Sequence, residues 1–317
     1  MTGIAVLGTL VAGCGFGDAG GDEGKDPAAP SAQPTAASVT EARARTIFAH
    51  YQKVNNKANA QVSDELLRSI ESGPMLEADL AGNKSIRGKY EKKIAAFTLR
   101  DPQFFIPHTT GPAWFAVTAV DPKDGGTELS VFVDTGGGVY KTASAAWLAK
   151  GKKFPAIARN ADGSATAVTE GAALGVGGKL SQYLTAAVHG EQPTGFVPGP
   201  LTSTLGKKWA KSVRKINGGY SWVGGTSWKA RPQPVYALKT ADGGALVMSV
   251  SSQSLTYTAL HEKAWYQPGS SFFGLGPKRY HKRFSGELLW MFATHVPASG
   301  PADVLAKYCL AVSASGS

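Results

Sequence analysis

The sequence predicts an α+β fold of two similar halves, each with N-terminal helices packed on a curved antiparallel sheet. Three observations carry that expectation. Apolar residues recur at helical spacing up to about residue 87 and at strand spacing beyond it; the same order of elements returns after residue 170; and Gly-rich turn chemistry separates the short β-forming runs.

The first helix is expected from Ser38-Val39-Thr40-Glu41, a capping box, followed by Ala44, Ile47, Phe48, Tyr51 and Val54 at helical spacing. A second helical pattern runs through Val62, Leu66, Leu67 and Ile70, with Gly73-Pro74 as its interruption. Strands are expected at 94–99, 104–106, 114–120 and 129–133, where β-branched and aromatic residues concentrate. Asp121-Pro122-Lys123-Asp124-Gly125-Gly126 supplies a hairpin turn between the last two.

In the second half, helices are expected at 180–188 and 201–216, and strands at 235–238, 245–250, 255–259 and 288–294. A local echo links the halves. Phe115-Ala116-Val117 leads over Asp124-Gly125-Gly126 to Leu129, Val131 and Val133, as Tyr236-Ala237-Leu238 leads over Asp242-Gly243-Gly244 to Leu246, Met248 and Val250. Helices followed by strands in this way resemble the nuclear transport factor 2-like or cystatin-like arrangement, here in tandem. The expected organisation is a signal segment at 1–13, a disordered Gly/Ala/Pro-rich tether at 14–38, a first α+β domain at 39–170 and a second, basic one at 171–317, with Gly175–Lys179 read as a linker.

The N-terminus carries the most specific motif. From Gly3 to Gly13 every residue is apolar or small apart from Thr9, and the chain then reads Val11-Ala12-Gly13-Cys14. This resembles the lipobox of bacterial lipoprotein signal peptides, although no Lys or Arg precedes the apolar run. The resemblance implies acylation of Cys14 by diacylglycerol and palmitate-type chains, cleavage at Gly13-Cys14, and a mature protein on the outer face of the cell membrane. About a dozen apolar residues suit a signal segment and fall short of the roughly 18 that a spanning helix needs. The Gly/Pro/Ala stretch that follows holds Phe16 as its one large apolar side chain before Val39, so it cannot build a core. The whole chain is similar to uncharacterised secreted lipoproteins of high-GC actinobacteria, a group that supplies no catalytic residues to carry over.

A net charge of +10 conceals an asymmetry: residues 1–170 hold 18 basic and 18 acidic side chains, and residues 171–317 hold 15 against 5. Two clusters stand out. Lys207, Lys211, Arg214 and Lys215 share one face of an expected amphipathic helix, and Lys278, Arg279, Lys282 and Arg283 follow a Gly-rich loop. They point to an anionic surface, either lipid headgroups or wall polymer, with nucleic acid the weakest of the three as a partner. An unidentified protein partner is a further expectation, since aromatic residues crowd the same half: Trp209, Tyr220, Trp222, Trp228, Trp265, Tyr266, Phe272 and Phe273.

Signs of catalysis are sparse, and the expectation is a non-catalytic binding or scaffolding role without cofactor or metal. The six histidines are far apart and form no His-x-x-x-His pair; two cysteines, Cys14 and Cys309, are too few for a disulfide framework. Ser212-Val213-Arg214-Lys215 matches the Ser-x-x-Lys pair of penicillin-recognising acylases, but the Ser-Asp-Asn element is absent and Ala241 replaces the glycine after Lys239-Thr240. An envelope enzyme with a cone-shaped cavity, drawing on Asp134, Tyr140, His108 or Tyr257, is the alternative, as is a basic module for anionic wall polymer or nucleic acid.

Overall fold

The structure, a computed structural model, describes residues 39–88 and 94–317. The expected signal segment and the whole of the expected tether, Cys14 included, lie outside the described residues.

Helix α1 spans Glu41–Gln61 and is capped by Thr40, whose Oγ1 accepts from the Arg43 amide at 3.3 Å. The cap thus falls two residues after the Ser38 of the expected box. Ala44, Phe48, Tyr51 and Asn55 form the buried stripe. Val62 takes a left-handed conformation, φ 54°, and Ser63 caps α2, Asp64–Ile70. Pro74, expected as an interruption, instead opens α3, Gly73–Arg87. Its missing N–H falls in the first turn, where no helical acceptor exists to miss it.

Four strands follow: β1 Arg100–Phe105, β2 Trp114–Val120, β3 Thr127–Asp134 and β4 Tyr140–Leu148. The strand expected at 94–99 does not form. Side chains of α1 take its amides instead: Asn56 Oδ1 accepts from Phe97 N at 3.0 Å and Gln52 Oε1 from Leu99 N at 2.6 Å. The hairpin turn forms as expected, with Gly125 at φ 72° and the Asp121 amide donating to the Gly126 carbonyl at 2.9 Å.

The second stretch gives α4 Val176–Val188, α5 Ser203–Asn217, and strands β5 Trp222–Ala230, β6 Tyr236–Lys239, β7 Ala245–Ala259, β8 Arg283–Val296 and β9 Asp303–Gly316. Residues 176–179, read as linker, are the first turn of α4. Gly177 there lies against β7, where a Cβ would come within 2.8 Å of Ser249 Cβ. The two strands expected at 245–250 and 255–259 are one, because the inward-facing polar residues between them, Ser251 and Gln253, are buried with partners. Ser251 Oγ lies 2.9 Å from Ser181 Oγ, and Gln253 donates to Thr226 Oγ1 and accepts from Trp290 Nε1, both at 2.9 Å. Paired in this way, polar groups cost the sheet little.

All strands among the described residues join one nine-stranded antiparallel sheet in the order β1-β2-β3-β4-β9-β8-β7-β5, with β6 added on β7. The described residues pack as one compact unit, and β4 meets β9 where Trp147 stands opposite Lys307. Helix α1 packs on Phe104, Phe115, Val117 and Phe132; α3 brings Met75 and Ala78 onto Ala145, Val250, Leu289 and Met291. Leu288, Trp290 and Phe292 instead join the core under α4 and α5. Since neighbouring residues of a strand point to opposite faces, α3 and α4 cover opposite faces of the sheet at β8. Helices set against an antiparallel sheet make this an α+β fold, as the sequence predicted.

Candidate functional site

Two features stand apart from the packed core. The first is the basic end of the second stretch. Lys207, Lys211, Arg214 and Lys215 are exposed on α5, and Lys278, Arg279, Lys282 and Arg283 are exposed on the loop into β8. Both groups lie at the end of the sheet where β5 starts and β7 ends. Trp222 pairs there with Ala259, the Ala259 amide donates to the Lys282 carbonyl at 2.8 Å, and Arg283 stands opposite Thr258. The helix reaches this end with Arg214 and Lys215 in its last turn, while Lys211 and Lys207 lie about one and two turns back.

Exposed apolar side chains share the same end. Tyr220 is 93% exposed, Leu260 55% and Trp265 52%, and the Arg279 guanidinium lies 4.7 Å from the Trp265 ring centre. By contrast Trp222, Trp228 and Phe272 are buried, so most of the aromatic residues of this half build core and a few decorate the rim. Ser212 is exposed and donates to the Lys208 carbonyl of its own helix at 3.1 Å. Asp134 is spent on its own turn, accepting from Gly136 N and Gly138 N, and Tyr257 is buried in the aromatic core.

The second feature was not legible in the sequence. A cavity of about 300 Å³ opens between α1, α3, β3 and the β4–β9 seam, lined by Tyr51, Asn55, Asp79, Glu128, Trp147 and Tyr308 among others. Each acid arrives by ordinary local structure. Glu128 pairs across the sheet with Ala119 and Trp147 and points to the face that α1 covers; Asp79 lies on the buried side of α3; Glu71 follows α2, held by an isolated bridge to Thr142. Tyr308 of β9 donates to Asp79 Oδ1 at 2.9 Å, and Ser130 donates to Glu128 Oε1.

Burial dominates the electrostatics. It pushes Glu128 up to about 7, against the Ser130 hydrogen bond and with help from Asp79 and Asp121. It pushes Asp79 up to about 6, with Tyr308 and Glu71 pulling the other way. Glu71, 1% exposed, is held well above the ordinary carboxyl range by burial first and by Asp79 next. The hydroxyls of Tyr51 and Tyr308 are raised for the same reason. Among the described residues the cation lining the cavity is Lys123, which is exposed and donates to the Ala96 carbonyl at 3.5 Å. No group of three or more His, Cys, Asp or Glu among the described residues is arranged to hold a metal ion.

The sequence placed Tyr51 in a core stripe and predicted the strand that became β3 only from Leu129, one residue past Glu128. The usable signal was Glu128 and Ser130 alternating with Leu129 and Val131, which puts an acid on an inward face. A larger cavity, about 600 Å³, lies beside β1 and β2 and is lined in part by Lys152, Lys153 and Arg159. Arg159 there is committed to the Gly163 and Phe104 carbonyls at 2.9 and 2.8 Å.

The fold is that of an α+β protein with a basic, aromatic-studded end and a separate acid-lined cavity. Residues 35–316 match the family described as "Domain of unknown function (DUF8094)", and the chain belongs to that family. It is 24% identical over 283 residues to the "Uncharacterized lipoprotein SCO6871" of Streptomyces coelicolor, covering 85% of this chain and 80% of the relative. No solved structure matches.

Proposed function

We propose that this protein is an extracytoplasmic lipoprotein, acylated on Cys14, that rests its basic end on an anionic membrane surface and acts by binding rather than by catalysis. The observation that carries the reading is the join of two signals in one chain: a lipobox ending at Cys14, and exposed Lys and Arg set beside exposed Tyr220, Leu260 and Trp265. The Streptomyces relative, itself described as a lipoprotein, supports it.

The energetics agree. Each buried methylene of an acyl chain is worth about 0.8 kcal/mol, one chain holds marginally and two hold firmly. Each basic residue near an anionic leaflet adds about 1 kcal/mol, and aromatic side chains prefer the headgroup level. The lipid therefore sets residence on the membrane, and the charges set the orientation of the body.

Expression of the wild type and Cys14→Ser with a fatty-acid label, followed by fractionation, tests the anchor. The wild type is expected to carry label in the membrane fraction, and Cys14→Ser to be unlabelled and released. Label persisting on Cys14→Ser would overturn the anchor site.

A further inference from the structure

The cavity of about 600 Å³ beside β1 and β2 lies on the face of the sheet away from α1. Phe115 and Val117 of β2 pack under that helix, so their neighbours Ala116 and Thr118 point the other way. Residues 152–159 cross this second face as a strap. The Ala158 amide donates to the Lys239 carbonyl at 2.9 Å, and Arg159 Nη2 donates to the Phe104 carbonyl at 2.8 Å, which ties the strap to β6 and to β1. We infer that the space under the strap binds a single-chain amphiphile with an anionic head, of the fatty-carboxylate type.

Three observations point to that ligand. The first is an unanswered hydroxyl. Thr118 is 8% exposed and lines the cavity, and its Oγ1 makes no hydrogen bond among the described residues. That oxygen is not one of the sealed, unpartnered polar atoms of the core, so the surface it keeps is surface of the cavity. A buried hydroxyl left unpaired costs free energy that an acceptor on a ligand recovers.

The second is positive charge without a counterion. Lys152 and Lys153 line the cavity, are exposed, and have no carboxylate partner among the described residues. Arg159 gives N–H groups to the Gly163 and Phe104 carbonyls, which hold its guanidinium 5.0 Å from the Phe105 ring centre and leave its charge uncompensated. Asp101 is the acid in the lining, so three cations face one carboxylate. Gln103 stands opposite Thr118, and the next residue of β1 is the Phe104 that holds Arg159. The free hydroxyl and the fixed guanidinium therefore belong to the same part of the cavity.

The third is the rest of the wall. Phe105, Val120 and Leu246 from the sheet, with Phe154 and Ile157 from the strap, are apolar. A hydrocarbon chain takes those side chains out of water, which a bare anion does not. A sugar phosphate would satisfy the charges but not this wall, and a neutral lipid the wall but not the charges. The volume lies within the roughly 300–1,000 Å³ of small-molecule sites.

This inference goes beyond the membrane reading, because α5 and the loop into β8 contribute no side chain to the cavity. Amphiphile binding and vesicle attachment therefore succeed or fail separately.

The test is titration calorimetry at pH 7.5 on the full chain carrying Cys14→Ser, so that neither detergent nor its own acyl groups compete. Decanoate, kept below its micelle threshold, is compared with acetate, the head alone, and with decyltrimethylammonium, the same tail under the opposite charge. Decanoate is expected to bind saturably, at least about tenfold tighter than either control. Lys152→Gln with Lys153→Gln is expected to weaken it about fivefold, and Thr118→Val, which exchanges one hydroxyl for a methyl, by a similar factor. The exposed lysine pair serves if Thr118→Val does not fold. Changing Lys207, Lys211, Arg214 and Lys215 of α5 to Gln is expected to leave decanoate binding as it was. Absence of saturable decanoate binding, equal binding of decyltrimethylammonium, unchanged affinity in the folded cavity variants, or loss of binding in the α5 variant would each overturn the inference.

Discussion

Arg231, one residue past β5, forks onto Glu77 of α3, with Nη1 2.5 Å from Oε2 and Nη2 3.0 Å from Oε1. The same guanidinium reaches Glu287 of β8 at 2.8 Å and Ser252 of β7 at 2.6 Å. One side chain therefore joins a helix from the first stretch to two strands of the second. The arrangement is bidentate and partly shielded, so it is worth more than an open surface pair.

Arg231→Leu removes all the guanidinium contacts at once and leaves Glu77 and Glu287 without their shared cation, with Ser252 still donating to Glu287. The expected loss is about 1–3 kcal/mol, read as a lower urea midpoint at unchanged slope. A loss below about 0.5 kcal/mol would show that the cluster is ornamental to stability.

Stability should fall as pH rises toward neutrality. Glu128 has an ordinary value near 4.5 and about 7 in the fold, so the folded state binds the extra proton. Its contribution is present below about 4.5 and is lost as pH rises through 7, a difference of roughly 3 kcal/mol at most. Asp79 acts in the same direction up to about 6. Asp64, whose carboxyl Arg87 holds below the ordinary range, works in the opposite direction but only at lower pH. Thermal unfolding is expected to show a higher Tm at pH 5 than at pH 8, with the difference reduced in Glu128→Gln. A Tm that climbs from pH 5 to 8 would contradict the sign.

Removing charge from α5 should weaken attachment to anionic vesicles without touching the fold. Lys207, Lys211, Arg214 and Lys215 are exposed, and their combined change to Gln is expected to lower binding to vesicles with phosphatidylglycerol by more than tenfold. The wild type should detach as salt rises from 0.1 to 0.5 M, since screening shortens the reach of each charge. Binding to wall polymer that outlasts the loss of vesicle binding would reassign the partner of this face.

Gly206 tests the α4–α5 contact. A Cβ at this position would come within 2.5 Å of the Ala187 Cβ on the neighbouring helix. Gly206→Val should destabilise the protein by about 1–3 kcal/mol through overpacking, despite the better helix propensity of Val over Gly. Circular dichroism with denaturant measures the change, and a stabilised variant would mean that the helices can part at no cost.

Much of the local structure could be read from residue order. The stripe Ala44, Phe48 and Tyr51 marks α1, and Asp124-Gly125-Gly126 fixes the β2–β3 turn through backbone that only Gly adopts without strain. Strands β4 and β9 escaped notice because Ala, Ser and Thr in Ala143–Ala146 and Ala311–Gly316 give little apolar alternation. They become strands because their neighbours offer long ladders, such as the twelve-pair register of β8 with β9. The exposed basic side chains were legible as well, since a charged face needs no partner to exist.

The sequence by itself determined an α+β protein with a lipobox-like start and its positive charge gathered in the second stretch, because period, turn chemistry and charge are properties of neighbouring residues. Only the tertiary structure decided that both stretches share one sheet, and that Glu71, Asp79, Glu128 and Tyr308 gather around one cavity. Those residues lie far apart along the chain, and long-range strand pairing, which no local pattern encodes, is what brings their charges out of water together.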